Sequence, residues 1–221
     1  MSDAVGANPV LEKVHRSLGR TAAPASVPPP PAIDERIARL VPSNIGLADL
    51  FITRASAMKM IATPISVDDL LEQMAAFLRE RQCTRVMLSD TSLLTRLGAG
   101  RYLSEQGFDA RTWAQITPDE AYDFDAGVTD VDYAVAESGS LVIRHRPEHG
   151  RLISLVPFVH VAVVEPKSFL PDLIDLFERL AAEGVGGGVT MISGPSKTAD
   201  IEMNVVTGVH GPNVVRAFVL Q

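Results

Sequence analysis

Apolar residues recur at helical spacing in several stretches of this chain. Between residues 8 and 19, Val10, Leu11, Val14 and Leu18 share one side, while Glu12, Lys13 and Arg16 fall elsewhere, which predicts a short amphipathic helix. Residues 45–58 place Leu47, Leu50, Phe51, Ala55 and Met58 on one helical face. "SVDDLLEQMAAFLRERQ" carries a start signal, with Ser66 as N-cap and Asp68 and Asp69 in the first turn. "SLLTRLGAGRYLSEQG" reads as a helix interrupted near Gly98 and Gly100, "TPDEAYD" as a short capped helix, and "SFLPDLIDLFERLAAEG" as a helix closed by Gly184.

Between these lie apolar runs of strand length: "KMIATPI", "RVMLS", residues 109–113, "VTMIS" and "VVRAFVL". Strands alternating with helices predict an α/β layer with parallel strands. The texture then changes. "GVTDVDYAVAESGSLVIRH" and "RLISLVPFVHVAVVEP" are β-rich, and only the turn-like "RPEHG" separates them, so local pairing as hairpins is expected. The fold class is therefore α/β: a mostly parallel central sheet flanked by helices, with an added antiparallel β portion.

Three segments follow from the punctuation. Residues 1–20 hold the N-terminal helix. Residues 21–32 are a proline-rich linker, "TAAPASVPPPPA", extended because prolines remove donors and fix φ. The body is residues 33–221. A helix as short as the first is marginal alone, so it calls for a docking surface on its own domain, a second copy or a partner.

Composition narrows the function. Net charge is −7 over 221 residues, which disfavours nucleic acid and anionic membrane surfaces as partners. A single cysteine, Cys83, cannot form an internal disulfide or hold an Fe–S cluster or thiolate zinc site; it is expected to be a buried, inert thiol. No stretch approaches the roughly 20 apolar residues of a membrane span, and the start lacks an apolar signal core. The expectation is a cytoplasmic protein. There is no P-loop, nucleotide-binding G-x-G-x-x-G, nucleophile elbow or H-E-x-x-H. The glycines of "EGVGGGVT" follow a helix and precede a strand, the reverse of a phosphate loop, and read as a connection.

Three polar clusters interrupt the apolar strands. In "VTDVDYAVAESGSL", Glu137 precedes Ser138, Gly139 and Ser140. Backbone N–H groups of such a turn can meet an anion, and the carboxylate can serve as nucleophile or base; equally, the turn is a capped structural one. In "PFVHVAVVEP", His160 sits among apolar residues, either as a core histidine or as a proton carrier. In "ISGPSKTADIEMNVVTGVHGP", Gly194, Ser196, Lys197, Thr198, Asp200, Glu202 and His210 fall between two strands. If "TADIE" opens a helical turn, Thr198 caps it and the free N–H groups favour an anion; otherwise this is a solvated loop. All three clusters lie at expected strand ends, where clefts form.

With these segments the chain resembles the lactate-utilization protein C group of the LUD-domain family. "AVAESGSLVI", "LVPFVHVAVVEP", "GPSKTADIE" and "GVHGP" match the family's A-E-T-G-T-L, P-x-x-H-I-x-V-V, G-P-S-[RK]-T-A-D-I-E and G-V-H-G-P patterns, strongly over residues 125–221. Ser138 and Ser140 stand where threonine is common, and Lys197 where arginine is common, which keeps the charge and loses the bidentate fork. The resemblance implies that residues 33–221 are the LUD domain, with a fold like that of sugar-phosphate isomerases and CoA transferases (NagB/RpiA-like). It implies a part in oxidising L-lactate to pyruvate with two Fe–S partner proteins, no cofactor or metal site in this chain, and a polar cleft for a small carboxylate or other anion. Glu137, His160 and His210 are the expected catalytic residues. Ser138, Gly139, Ser140, Gly194, Ser196, Lys197, Thr198, Asp200 and Glu202 are the expected ligand-binding residues, with Lys197 and the N–H groups near Gly139 and Gly194 holding the anion. Two other readings stand beside this one. One is a stand-alone enzyme of CoA-transferase or sugar-phosphate type, with Glu137 as nucleophile. The other is a lactate-sensing regulatory binder.

Overall fold

The computed structural model describes residues 9–19, 34, 39, 41, 46–199, 205–207 and 211–221. The proline-rich linker, residues 21–32, lies outside them. The chain divides into two units, residues 1–38 and 39–221. In the first, α1 (Pro9–Ser17) is amphipathic as its spacing predicts, and Val14 and Leu18 are exposed.

The second unit is built on a six-stranded sheet: β1 (Ile61–Ile65), β2 (Arg85–Leu88), β3 (Asp109–Thr112), β4 (Ala126–Asp130), β7 (Val159–Val164) and β12 (Val214–Leu220). Its order is β1-β12-β7-β4-β2-β3, and every pair is parallel. Parallel sheets bury both faces and so read as continuous apolar runs; all of Val159–Val164 is buried. From β2 the chain steps outward to β3, then returns to β4 and continues through β7 to β12. The direction reverses between β2 and β4, whose carboxyl ends therefore flank a switch point, the usual place for a crevice in such sheets.

One face is covered by α3 (Val67–Glu80), α4 (Ser92–Leu97) and α5 (Ala99–Glu105). Leu70, Met74 and Leu78 of α3 pack with Val86, Val128, Val161 and Phe218 of the sheet. Ser66 caps α3 as expected, its Oγ accepting from the Asp69 N–H at 3.2 Å. The helix break falls at Gly98 between α4 and α5, where the sequence places it.

The other face receives α2 (Leu47–Ala57) and a second sheet of β5 (Tyr133–Val135), β6 (Ser140–Arg144), β8 (Phe169–Leu170) and β9 (Val189–Ile192). This sheet has the order β8-β5-β6-β9, with β5–β6 and β6–β9 antiparallel. Phe51 and Ala55 of α2, Ala134, Leu141 and Ile143 of the second sheet, and Ala162 and Ala217 of the first form one core. The outer side of the second sheet packs on α7 (Leu173–Glu183) through Val135, Val142, Leu176 and Leu180. A small antiparallel hairpin, β10 (Lys197–Ala199) with β11 (Val205–Thr207), completes the described strands.

The expected α/β architecture with an added antiparallel portion is present, and one local expectation is not. The two β-rich segments do not pair with each other. β6 lies in the second sheet and β7 in the first, and a short helix, α6 (Leu152–Leu155), lies between them. A strand buried on both faces requires neighbours on both sides, and β7 finds them in β4 and β12 rather than in β6. Apolar periodicity identifies a strand but not the sheet it joins.

Candidate functional site

Of the expected site residues, those of the β5–β6 turn and of Gly194–Lys197 lie toward the amino-terminal edge of the central sheet. The β5–β6 turn carries Glu137, Ser138 and Gly139, and Ser140 opens β6. Ser138 Oγ donates to Ser140 Oγ at 2.9 Å, and Ser140 Oγ shares a hydrogen bond with Ser193 Oγ at 2.6 Å. This serine chain ties the "AESGS" turn to the start of "SGPSK". Gly194 follows, its backbone lying against the Met58 carbonyl beyond α2. The Ser196 N–H donates to the Pro212 carbonyl at 2.9 Å, and Asn213 and Val214 donate to the Phe158 carbonyl just before β7. Lys197 is exposed at the start of β10.

Gly139 holds this arrangement for a steric reason. Its φ is +65°, and a Cβ there would come within 2.3 Å of the Ala55 nitrogen. Only glycine allows both the left-handed turn and the approach of α2. The Glu137 carboxylate is half-buried and makes no hydrogen bond or ion pair with a described residue.

Two expectations change here. The N–H groups of Glu137 and Gly139 are already committed, to the carbonyls of Pro171 at 3.0 Å and Val135 at 2.9 Å. The Gly139 bond closes the turn, the Glu137 bond ties it to the end of β8, and neither N–H is free to hold an anion. Thr198 does not cap a helical turn: Lys197–Ala199 is extended and pairs antiparallel with Val205–Thr207. Asp200, Glu202 and His210 lie outside the described residues.

His160 is enclosed rather than lining an open cleft. It is fully buried on the sheet face opposite α3, and its Nε2 lies 2.9 Å from Thr129 Oγ1. Burial pushes its pKa down to about 3, so the ring is neutral at pH 7. Its Nδ1 has no hydrogen-bond partner among the described residues.

A second polar cluster stands at the opposite, carboxyl-terminal edge, at the switch point between β2 and β4. Ser89 and Thr91 follow β2, Asp130 ends β4, and His149 lies in the loop between β6 and α6. His149 is 1% exposed, with Nδ1 3.8 Å from Asp130 Oδ1. Burial lowers its pKa to about 4 and raises that of Asp130. For Asp132, burial acts upward but is outweighed by the Arg144 N–H and the Arg146 guanidinium, so its carboxyl stays below the usual range. The sequence motifs do not single out Ser89, Thr91 or His149. These are separated along the chain, and only the sheet order brings them together. Among the described residues, no group of His, Cys, Asp and Glu is placed to hold a metal ion.

The family model of the LUD domain matches residues 48–220. The chain is 34% identical over 177 residues to lactate utilization protein C of Exiguobacterium sp., a match covering 70% of this chain and 72% of that protein. It is 30% identical over 153 residues to lactate utilization protein C of Halalkalibacterium halodurans, covering 66% of each chain. Among solved structures, a DUF162 family protein from Deinococcus radiodurans superposes with a TM-score of 0.59 at 22% identity, covering 79% of this chain and 96% of that one. That likeness speaks for the fold. The match over most of the second unit shows that the chain belongs to the LUD-domain family.

Proposed function

We propose that this protein serves the utilization of L-lactate as the component without a cluster, supporting oxidation of lactate to pyruvate together with two Fe–S proteins. The observation that carries the reading is its 34% identity, across 70% of its length, to a lactate utilization protein C. The cysteine count supports the division of labour. Oxidation of lactate releases two electrons and two protons, and the one thiol of this chain is buried, with its pKa pushed up by burial to about 11. Electron carriers of the cluster type therefore belong to the partners.

A small carboxylate is proposed to bind at the amino-terminal edge, beside the serine chain of Ser138, Ser140 and Ser193, with Lys197 supplying positive charge. Capture of a tagged chain from lactate-grown cells, followed by mass spectrometry, tests the partnership. Two cysteine-rich Fe–S proteins are expected to co-purify. Turnover of L-lactate by the purified chain alone would rule the accessory role out.

The half-buried Glu137 carboxylate, unpaired among the described residues, favours one second reading: an acyl-transfer enzyme with Glu137 as nucleophile. An acyl-CoA adduct trapped on wild-type protein and lost in Glu137→Ala would establish it in place of the first.

A further inference from the structure

The carboxyl-terminal edge of the central sheet holds a cavity of about 570 Å³. Cavities of roughly 300–1,000 Å³ enclose drug- or cofactor-sized ligands, and a three-carbon acid does not fill one. Its lining combines apolar Trp113, Pro118 and Leu152 with polar Arg146, Arg151, His145 and His149. Trp113 is fixed in place: Gly150 lies so close that a Cβ there would come within 2.1 Å of the indole.

The polar lining is under-used. Both ring nitrogens of His149, a cavity-lining residue that is 1% exposed, lack a hydrogen-bond partner among the described residues. Buried polar groups normally have partners, so this imidazole keeps unused hydrogen-bonding capacity at the cavity wall. The two guanidiniums differ. Arg146 is held by Asp132 at 2.6 Å. Arg151 is exposed and makes no ion pair with a described residue. It leaves a positive charge at the cavity with its planar fork open to an oxyanion. Asp90, just beyond β2, ties together the segments that carry Trp113 and His149: its Oδ2 accepts from the Ala114 N–H, and its N–H donates to the Glu148 carbonyl.

We propose that this cavity is a binding site for a mononucleotide, distinct from the Glu137 turn. The flat ring lies along Trp113, Pro118 and Leu152, the phosphate meets Arg151, and the hydrogen-bonding edge of the ring reaches His149. The site does not depend on the lactate reading, and either can stand without the other.

Trp113 is the sole tryptophan of the sequence, so its fluorescence reports this cavity directly. The experiment titrates the full chain with AMP and with flavin mononucleotide, and with inorganic phosphate and pyruvate as anions without a nucleotide ring. A saturable change in emission is expected with at least one nucleotide. The Arg151→Ala variant, at an exposed position, should keep the wild-type melting temperature and bind about tenfold more weakly, the scale of a lost charge-assisted hydrogen bond. Lys197→Ala should bind as wild type. The proposal is overturned if neither nucleotide gives a saturable change. It is also overturned if phosphate or pyruvate saturates at the same concentration as the nucleotide, or if Arg151→Ala leaves the midpoint unchanged.

Discussion

His160 is held inside an apolar sheet by a hydrogen bond to Thr129, and the consequence is a pH dependence of stability. Its folded pKa of about 3, and the value of about 4 for His149, both lie below the ordinary 6.5. The unfolded chain therefore binds more protons than the folded one between these values. The contribution to stability is complete above pH 6.5 and is lost as pH falls toward 4. Asp130 acts in the opposite sense, because its folded carboxyl keeps its proton to a higher pH. The urea midpoint is expected to fall between pH 7 and pH 5, and His160→Gln with His149→Gln should flatten that slope. An unchanged slope in the double variant would contradict the assignment. Gly139 gives a second prediction at this scale. A side chain there meets both the left-handed φ and the α2 backbone, so Gly139→Ala should lose about 2 kcal/mol or more in chemical denaturation. The sequence shows that Gly139 is a turn glycine. It does not show the approach of α2, because that contact joins distant segments.

At the scale of elements, what could be read depended on how far the signal extended along the chain. The Ser66 cap was legible because the serine and the Asp69 N–H it binds are three residues apart; Ser66→Ala should cost about 1 kcal/mol of unfolding free energy. The break at Gly98 was legible for the same reason. Of the two readings of "TADIE", a helical turn does not begin at Thr198 and Ala199, where pairing with Val205–Thr207 decides the conformation; residues 200–202 lie outside the described ones. α6 escaped notice because four residues carry no visible period. Cys83, between α3 and β2, is buried as expected, with a pKa near 11. It should stay unreactive toward a thiol reagent at pH 8 in the folded protein and react fully in denaturant; modification of the native thiol at the denatured rate would contradict its burial.

For the whole molecule, the alternation of strands and helices announced the α/β class, and the motif stretches announced the family. The strand order was not legible, and with it went the switch point. Ser89, Thr91, Asp130 and His149 come from separate segments, and only the β2–β4 adjacency makes them one cluster. Ser138 and Ser140 stand out in their motif, whereas Ser193, which bonds Ser140 from a distant segment, carries no local signal beside the more conspicuous Gly194. The central claim, a role in lactate utilization, is tested most directly by growth. A strain lacking this chain and any other L-lactate dehydrogenase should fail to grow on L-lactate, grow normally on pyruvate, and recover on return of the wild-type chain. Growth on L-lactate at the rate of the strain that retains this chain would contradict the account.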